Sequence, residues 1–194
     1  MDAITFFLER YKAYQDYPSF LVDGLSDEQL RSSPDPSLNP ILWLLWHTAR
    51  SEDVGINRLL TDDTQVYHNG PWRSLLNAEP RRFGTGMTKD EVHSFCARIH
   101  PIELTAYRAA VKKKTIDVVT SLPPEKLDDI ISEEFYRKVF TDEGVGGTAA
   151  GWLADIYSDS TKGWLLGHLG LTHNFYHIGQ AATVRRLYGL ENPW

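Results

Sequence analysis

One helical pattern near the C-terminus constrains this chain more than any other feature. Ser160 or Thr161 stands ready to cap it, the pattern runs from Lys162 to Tyr188, and Gly189 stops it. Earlier segments follow the same period. Ile4, Phe7, Leu8, Tyr11 and Tyr14 form the apolar stripe of an amphipathic helix over about Ala3 to Asp16. Ser26-Asp-Glu-Gln is a capping pattern that opens a short second segment. Asn39 and Pro40 open a helix reaching about Leu60, with Asn39 as cap, Pro40 in the first helical position, and Leu42, Trp43, Leu45, Trp46 and Val54 among its apolar residues. Thr88-Lys89-Asp90-Glu91 is a capping box that starts a pattern ending near Leu122, before Pro123-Pro124. Pro101 lacks a backbone donor and disfavours helix at His100, so a kink or break is expected there.

The connections are long. Thr61 to Met87 is irregular, with Asn69-Gly70-Pro71 and Gly84-Thr85-Gly86, and should cross one end of the domain. Pro124 to Phe140 reads as either helix or strand, Gly144 to Gly147 as a connection, and Ala149 to Tyr157 as a short helix. No strand alternation, internal repeat or linker emerges elsewhere. The expectation is an all-α, four-helix bundle with long crossover loops, in one domain spanning 1–194.

Composition narrows the function. Of 194 residues, 42% are hydrophobic and 24% charged, the balance of an ordinary globular chain. The net charge of −6, with Lys112-Lys113-Lys114 as a solvated helical face, gives no surface for nucleic acid. Cys96 is the single cysteine, so no intrachain disulfide can form, which suits a reducing cytoplasm; it reads as a small buried hydrophobe and not a nucleophile. The N-terminus lacks the basic and apolar regions of a signal peptide, and the apolar run Ile41 to Trp46 is too short to span a bilayer. A soluble, cytoplasmic protein with no membrane partner is expected. No GxSxG, P-loop or Rossmann fingerprint occurs.

The chemistry lies in the histidines. His173 and His177 are one turn apart, about 40° around a helix, so both rings can reach one ion. An HxxxH pair is a short motif whose commoner meaning is two satisfied or exposed rings, so a further ligand must be found. His47 follows a strongly apolar turn and should face inward, where its nitrogens need partners. A metal shared by His47, His173 and His177 would satisfy one nitrogen of each, leaving the others to acceptors that the sequence does not name. His168 falls about 140° from His173 on a regular helix and is set aside. His93 and His100 are read as surface or packing residues, and His68 as a loop residue that could border a pocket. Trp43, Leu44, Ser51 and Val54 should lie near the His47 face, and Tyr176 and Ala181 near the paired histidines. Arg50 and Gln180 are candidates for binding a polar group of a substrate or cofactor, and Gly170 for leaving room for a ligand or a close helix.

Three stretches carry a resemblance: Trp46-His47-Thr48-Ala49-Arg50-Ser51-Glu52, Phe83-Gly84-Thr85-Gly86-Met87-Thr88, and His173-Asn174-Phe175-Tyr176-His177-Ile178-Gly179-Gln180. Together, and in the order of their elements, they resemble the DinB/YfiT-like superfamily over nearly the whole chain. The resemblance implies an up-down-down-up four-helix bundle, a homodimer, and a three-histidine site for a divalent ion, zinc or nickel, on His47, His173 and His177. It also implies thiol-dependent transferase or isomerase chemistry with mycothiol, bacillithiol or glutathione. One relative with maleylpyruvate isomerase activity has glutamate where this chain has His173.

The expected function is therefore a divalent-metal protein, and as an enzyme a low-molecular-weight-thiol S-transferase taking a small-molecule thiol and an electrophile. Two other readings remain: a metal-dependent hydrolase using the same open coordination position, and a non-catalytic stress or interaction protein with a structural metal.

Overall fold

A computed structural model describes residues 1–77 and 82–191. Residues 78–81, part of the long irregular connection, lie outside the described residues. The described chain is helical, with no strand; its one β contact is an isolated bridge between Ile130 and Thr161. The segment left open between helix and strand, Pro124 to Phe140, is therefore helical where it is regular.

α1 is Ala3–Ala13, capped by the Asp2 side chain on the Thr5 N–H. It stops short of the expected Asp16, and the chain turns into α2, Tyr17–Val22, with Pro18 in its first turn. α3, Asp27–Arg31, starts at Ser26 with both reciprocal bonds of the capping box in place. α4 is Ile41–Glu52, with Pro40 and not Asn39 in the cap position. It runs on as a π-helical segment, Asp53–Leu59. α5 is Trp72–Leu76 and α6 is Lys89–Arg98, capped by Thr88 and Glu91 as the box predicts. The break at Pro101 also appears: His100 is extended, and α7 starts at the proline and runs Pro101–Ser121. α8 is Glu133–Arg137, α9 Ala150–Tyr157 and α10 Lys162–Gly167, capped by Thr161. A second π segment, His168–Thr172, joins α10 to α11, His173–Leu187. Gly189, at φ +79°, ends the rod.

Every residue of α4 is buried. A helix covered on all sides is the centre of its fold, and α4 packs against both α7 and α11, with α1 resting on α7 and on the second π segment. Two glycines permit the tightest contacts. A Cβ at Gly55 would lie 2.3 Å from Leu169 Cδ1, and one at Gly170 would lie 2.7 Å from the Phe7 ring. Gly170 thus serves close helix approach and not ligand room. The two π segments meet at the Gly55–Leu169 contact, and this fixes the height of α11 against α4.

Candidate metal centre

His47 projects from the middle of α4, and His173 and His177 from the first turn and a half of α11. Their Nε2 atoms converge. His173 Nε2 lies 3.2 Å from His47 Nε2 and 3.2 Å from His177 Nε2. One ligand atom from each ring falls within 4.8 Å of the others. Two nitrogens about 2.05 Å from a tetrahedral ion stand about 3.3 Å apart, so this spacing suits a divalent metal.

The protons argue the same way. His47 Nδ1 lies 2.5 Å from the Phe83 carbonyl, which can only accept, so Nδ1 carries the hydrogen and Nε2 is a bare lone pair. His177 Nδ1 likewise donates to Gln180 Oε1 at 2.7 Å, while Gln180 Nε2 donates to the Tyr176 hydroxyl, which sets the amide's orientation. His173 Nε2 can offer at most one proton to these two lone pairs. One pair of nitrogens is therefore left lone pair to lone pair, a conflict that a cation removes. No ring can escape by protonation. Burial, aided by the neighbouring His177, pushes His47 down to about 3. Burial and then His47 and His177 hold His173 well below the usual histidine range, and burial lowers His177 against the opposing Gln180 bond. All three rings are neutral at pH 7, the state that binds a metal. Two buried polar atoms here, Ser51 Oγ and His173 Nδ1, have no hydrogen-bond partner among the described residues.

The site opens into a cavity of about 440 Å³ walled by Trp43, Phe83, Met87, Trp152, Ile156 and Tyr157. The Trp43 ring stacks on His47 at 4.7 Å between centroids and fixes its plane. Gly84, at φ +102°, lets the chain turn over Trp46, where a Cβ would lie 2.6 Å from the indole. That turn carries the Phe83 carbonyl to His47. No fourth histidine, cysteine or carboxylate joins the group among the described residues, so protein does not close the coordination sphere.

His168 stays outside the three-ligand group, as the sequence reading has it, yet it lines this cavity, with its ring 5.8 Å from that of His173. A regular helix would turn about 100° per residue here. Instead the His173 N–H bonds to the His168 carbonyl five residues back, so His168 sits one widened turn below His173 on the same side. Trp164 stacks on its ring at 4.8 Å.

Arg50 also departs from expectation. It is fully buried away from the cavity, where its guanidinium bonds Asp53 and Tyr107 and lies over the Tyr67 ring. Asp53 in turn accepts from the Val66 and Tyr67 N–H groups and ties the following loop to the helix. Gln180 accepts from His177 and donates to Tyr176, so it orients a ring. Glu52 holds the other side of the site together. It accepts from Tyr11, Thr115 and Asn174, the neighbour of His173. His68 and His100 are exposed. Cys96 is buried, and its thiol is pushed up to about 12 by burial.

No helix among the described residues is long and apolar enough to cross a membrane. A comparison with curated proteins finds no match. The fold is similar to that in the crystal structure of a conserved protein from Enterococcus faecalis, with a TM-score of 0.74 at 19% identity, covering 98% of this chain and 99% of that one. The sequence matches the DinB superfamily over residues 11–181. With that much of its length matched, the chain belongs to the DinB superfamily.

Proposed function

We propose that His47, His173 and His177 hold a zinc or nickel ion, and that the open side of the site takes a small-molecule thiol for transfer to an electrophile. The observation that carries this reading is the meeting of three neutral imidazole nitrogens, two of them bare by virtue of their outer hydrogen bonds, at the floor of a cavity. A divalent ion there would hold a thiol as thiolate near neutral pH. The protein supplies the rest. Phe83 and Gln180 keep the Nε2 lone pairs of His47 and His177 aimed inward. The aromatic wall excludes water and favours an electrophile with an apolar body. His168, inside the cavity and outside the ligand set, is placed to accept a proton released there.

The open position favours this reading over a structural metal, which would call for a fourth protein ligand. The test has two arms. Protein expressed with ample metal should carry close to one equivalent per chain, and His47→Ala and His177→Ala should each lose it; negligible metal in the native protein refutes the site. The cobalt-substituted protein should then change its visible spectrum when mycothiol, bacillithiol or glutathione is added. An unchanged spectrum with every thiol rejects the transferase and leaves a hydrolase to be assayed.

A further inference from the structure

A second cavity, also of about 440 Å³, lies on the far side of α4. At 100° per residue, Trp43, His47 and Ser51 share one face of α4, while Leu45, Ala49 and Glu52 lie about 140–200° from His47. The two cavities are thus separated by the thickness of this helix. The second is closed by Tyr14 and Pro18 from the N-terminal helices and by Leu104 and Arg108 from α7. Its wall is mostly apolar, and Ile102 at its mouth is 82% exposed.

Arg108 is the unusual group. Nη1 donates to the Leu45 carbonyl at 2.7 Å and to Thr48 Oγ1 at 3.0 Å, which anchors the guanidinium to α4. Its other nitrogens make no hydrogen bond, and no carboxylate comes within ion-pair distance among the described residues. Burial disfavours its charge, which Glu52 supports only from a distance. Lys112, one turn further along α7, lines the same cavity and also has no ion-pair partner among the described residues. The acidic groups facing them are otherwise placed. Glu52 is engaged by Tyr11, Thr115 and Asn174, and Asp16 stands exposed at the rim. An arginine held rigid by one nitrogen, with a free edge and a cationic neighbour in an apolar chamber, is built to receive an anion attached to an apolar body.

We propose that this chamber binds an amphipathic organic carboxylate, with the carboxylate on Arg108 and Lys112 and the apolar body against Leu45, Leu104 and Pro18. The site shares no side chain with the histidine cluster, so it stands apart from the metal reading. Calorimetric titration with octanoate and with octanol tests it. Octanoate should bind saturably, and octanol about 10- to 100-fold more weakly, the range for hydrogen bonds to a charged partner. Arg108→Gln should bring octanoate down to the octanol level and leave octanol unchanged. Ala109→Trp, which blocks the mouth but keeps the arginine, should abolish both. His177→Ala should leave octanoate binding intact, because the carboxylate does not sit on the metal. Equal binding of the two ligands to the native protein, no octanoate binding up to millimolar concentration, an Arg108→Gln affinity equal to native, or loss of binding in His177→Ala overturns the proposal.

Discussion

Gly55→Ala tests the contact that sets α11 against α4. The added methyl would lie 2.3 Å from Leu169 Cδ1, 2.9 Å from Leu169 Cβ and 3.1 Å from Leu169 Cγ. The Cδ1 clash can be relieved by a rotamer change. The Cβ clash cannot, because Cβ moves only with its backbone, so the segments must part by roughly 0.6 Å to reach normal carbon contact. Overpacking of this kind costs about 1–3 kcal/mol, and alanine's better helix propensity returns at most about 1 kcal/mol. With the full propensity gain subtracted, the net loss is up to about 2 kcal/mol, or a Tm lower by up to roughly 8 °C for a chain of this size. Leu169 lies four residues before His173, so a shift there also spoils the approach of His173 to His47. Metal sites tolerate only about 0.5 Å of misplacement, so affinity should fall with stability. Differential scanning calorimetry and a competitive titration against a chromophoric zinc chelator read the two effects. In the Leu169→Ala background the Cδ1 and Cγ contacts are gone but the 2.9 Å contact with Cβ stays, so Gly55→Ala should there cost less than in the native protein without becoming free. A Gly55→Ala protein as stable as the native one would show that propensity outweighs contact and that the close approach does not hold the site.

Gln180→Leu removes the acceptor of the His177 Nδ1–H and should weaken zinc about 10-fold, with Gln180→Glu recovering affinity; an unchanged titration curve would deny the residue its orienting role. The metal-free protein should lose stability as pH falls below about 6.5, because the unfolded chain gains protons that the folded His47, pushed down to about 3, refuses. At pH 5 that ring alone costs about 2 kcal/mol, and urea melts of His47→Phe should show a shallower pH slope than native. Tyr14→Phe removes the hydroxyl that donates to the Gly170 carbonyl at 2.6 Å and accepts from Asn174, and should destabilise by about 1–2 kcal/mol in the same melts.

The caps at Ser26, Thr88 and Thr161 and the break at Pro101 could be read directly because each is a local contest over one or two backbone donors. The convergence of three imidazoles could be anticipated from a single helical turn plus one inward histidine. Three other features were hidden, for three reasons. The Phe83 carbonyl is backbone, so no side chain announces it, although Gly84 marks the turn that delivers it. Helical angle points Arg50 toward the site, but the Asp53 carboxylate and Tyr107 draw the long side chain elsewhere. His168 reaches the cavity only because the turn before His173 is widened, which residue spacing alone does not show.

That widened turn has a consequence for how such a site can change. It acts as a phase shifter inserted in an otherwise rigid rod. Deleting one residue between 168 and 172 would rewind α10 by about 100° relative to α11, swing His168 and Trp164 away from the cavity and take Leu169 off Gly55. The ion-holding pair and the wall above it are in this sense geared together through Leu169, and a single inserted or lost codon trades the fourth imidazole for another side chain only where the seat of α11 on Gly55 is rebuilt as well.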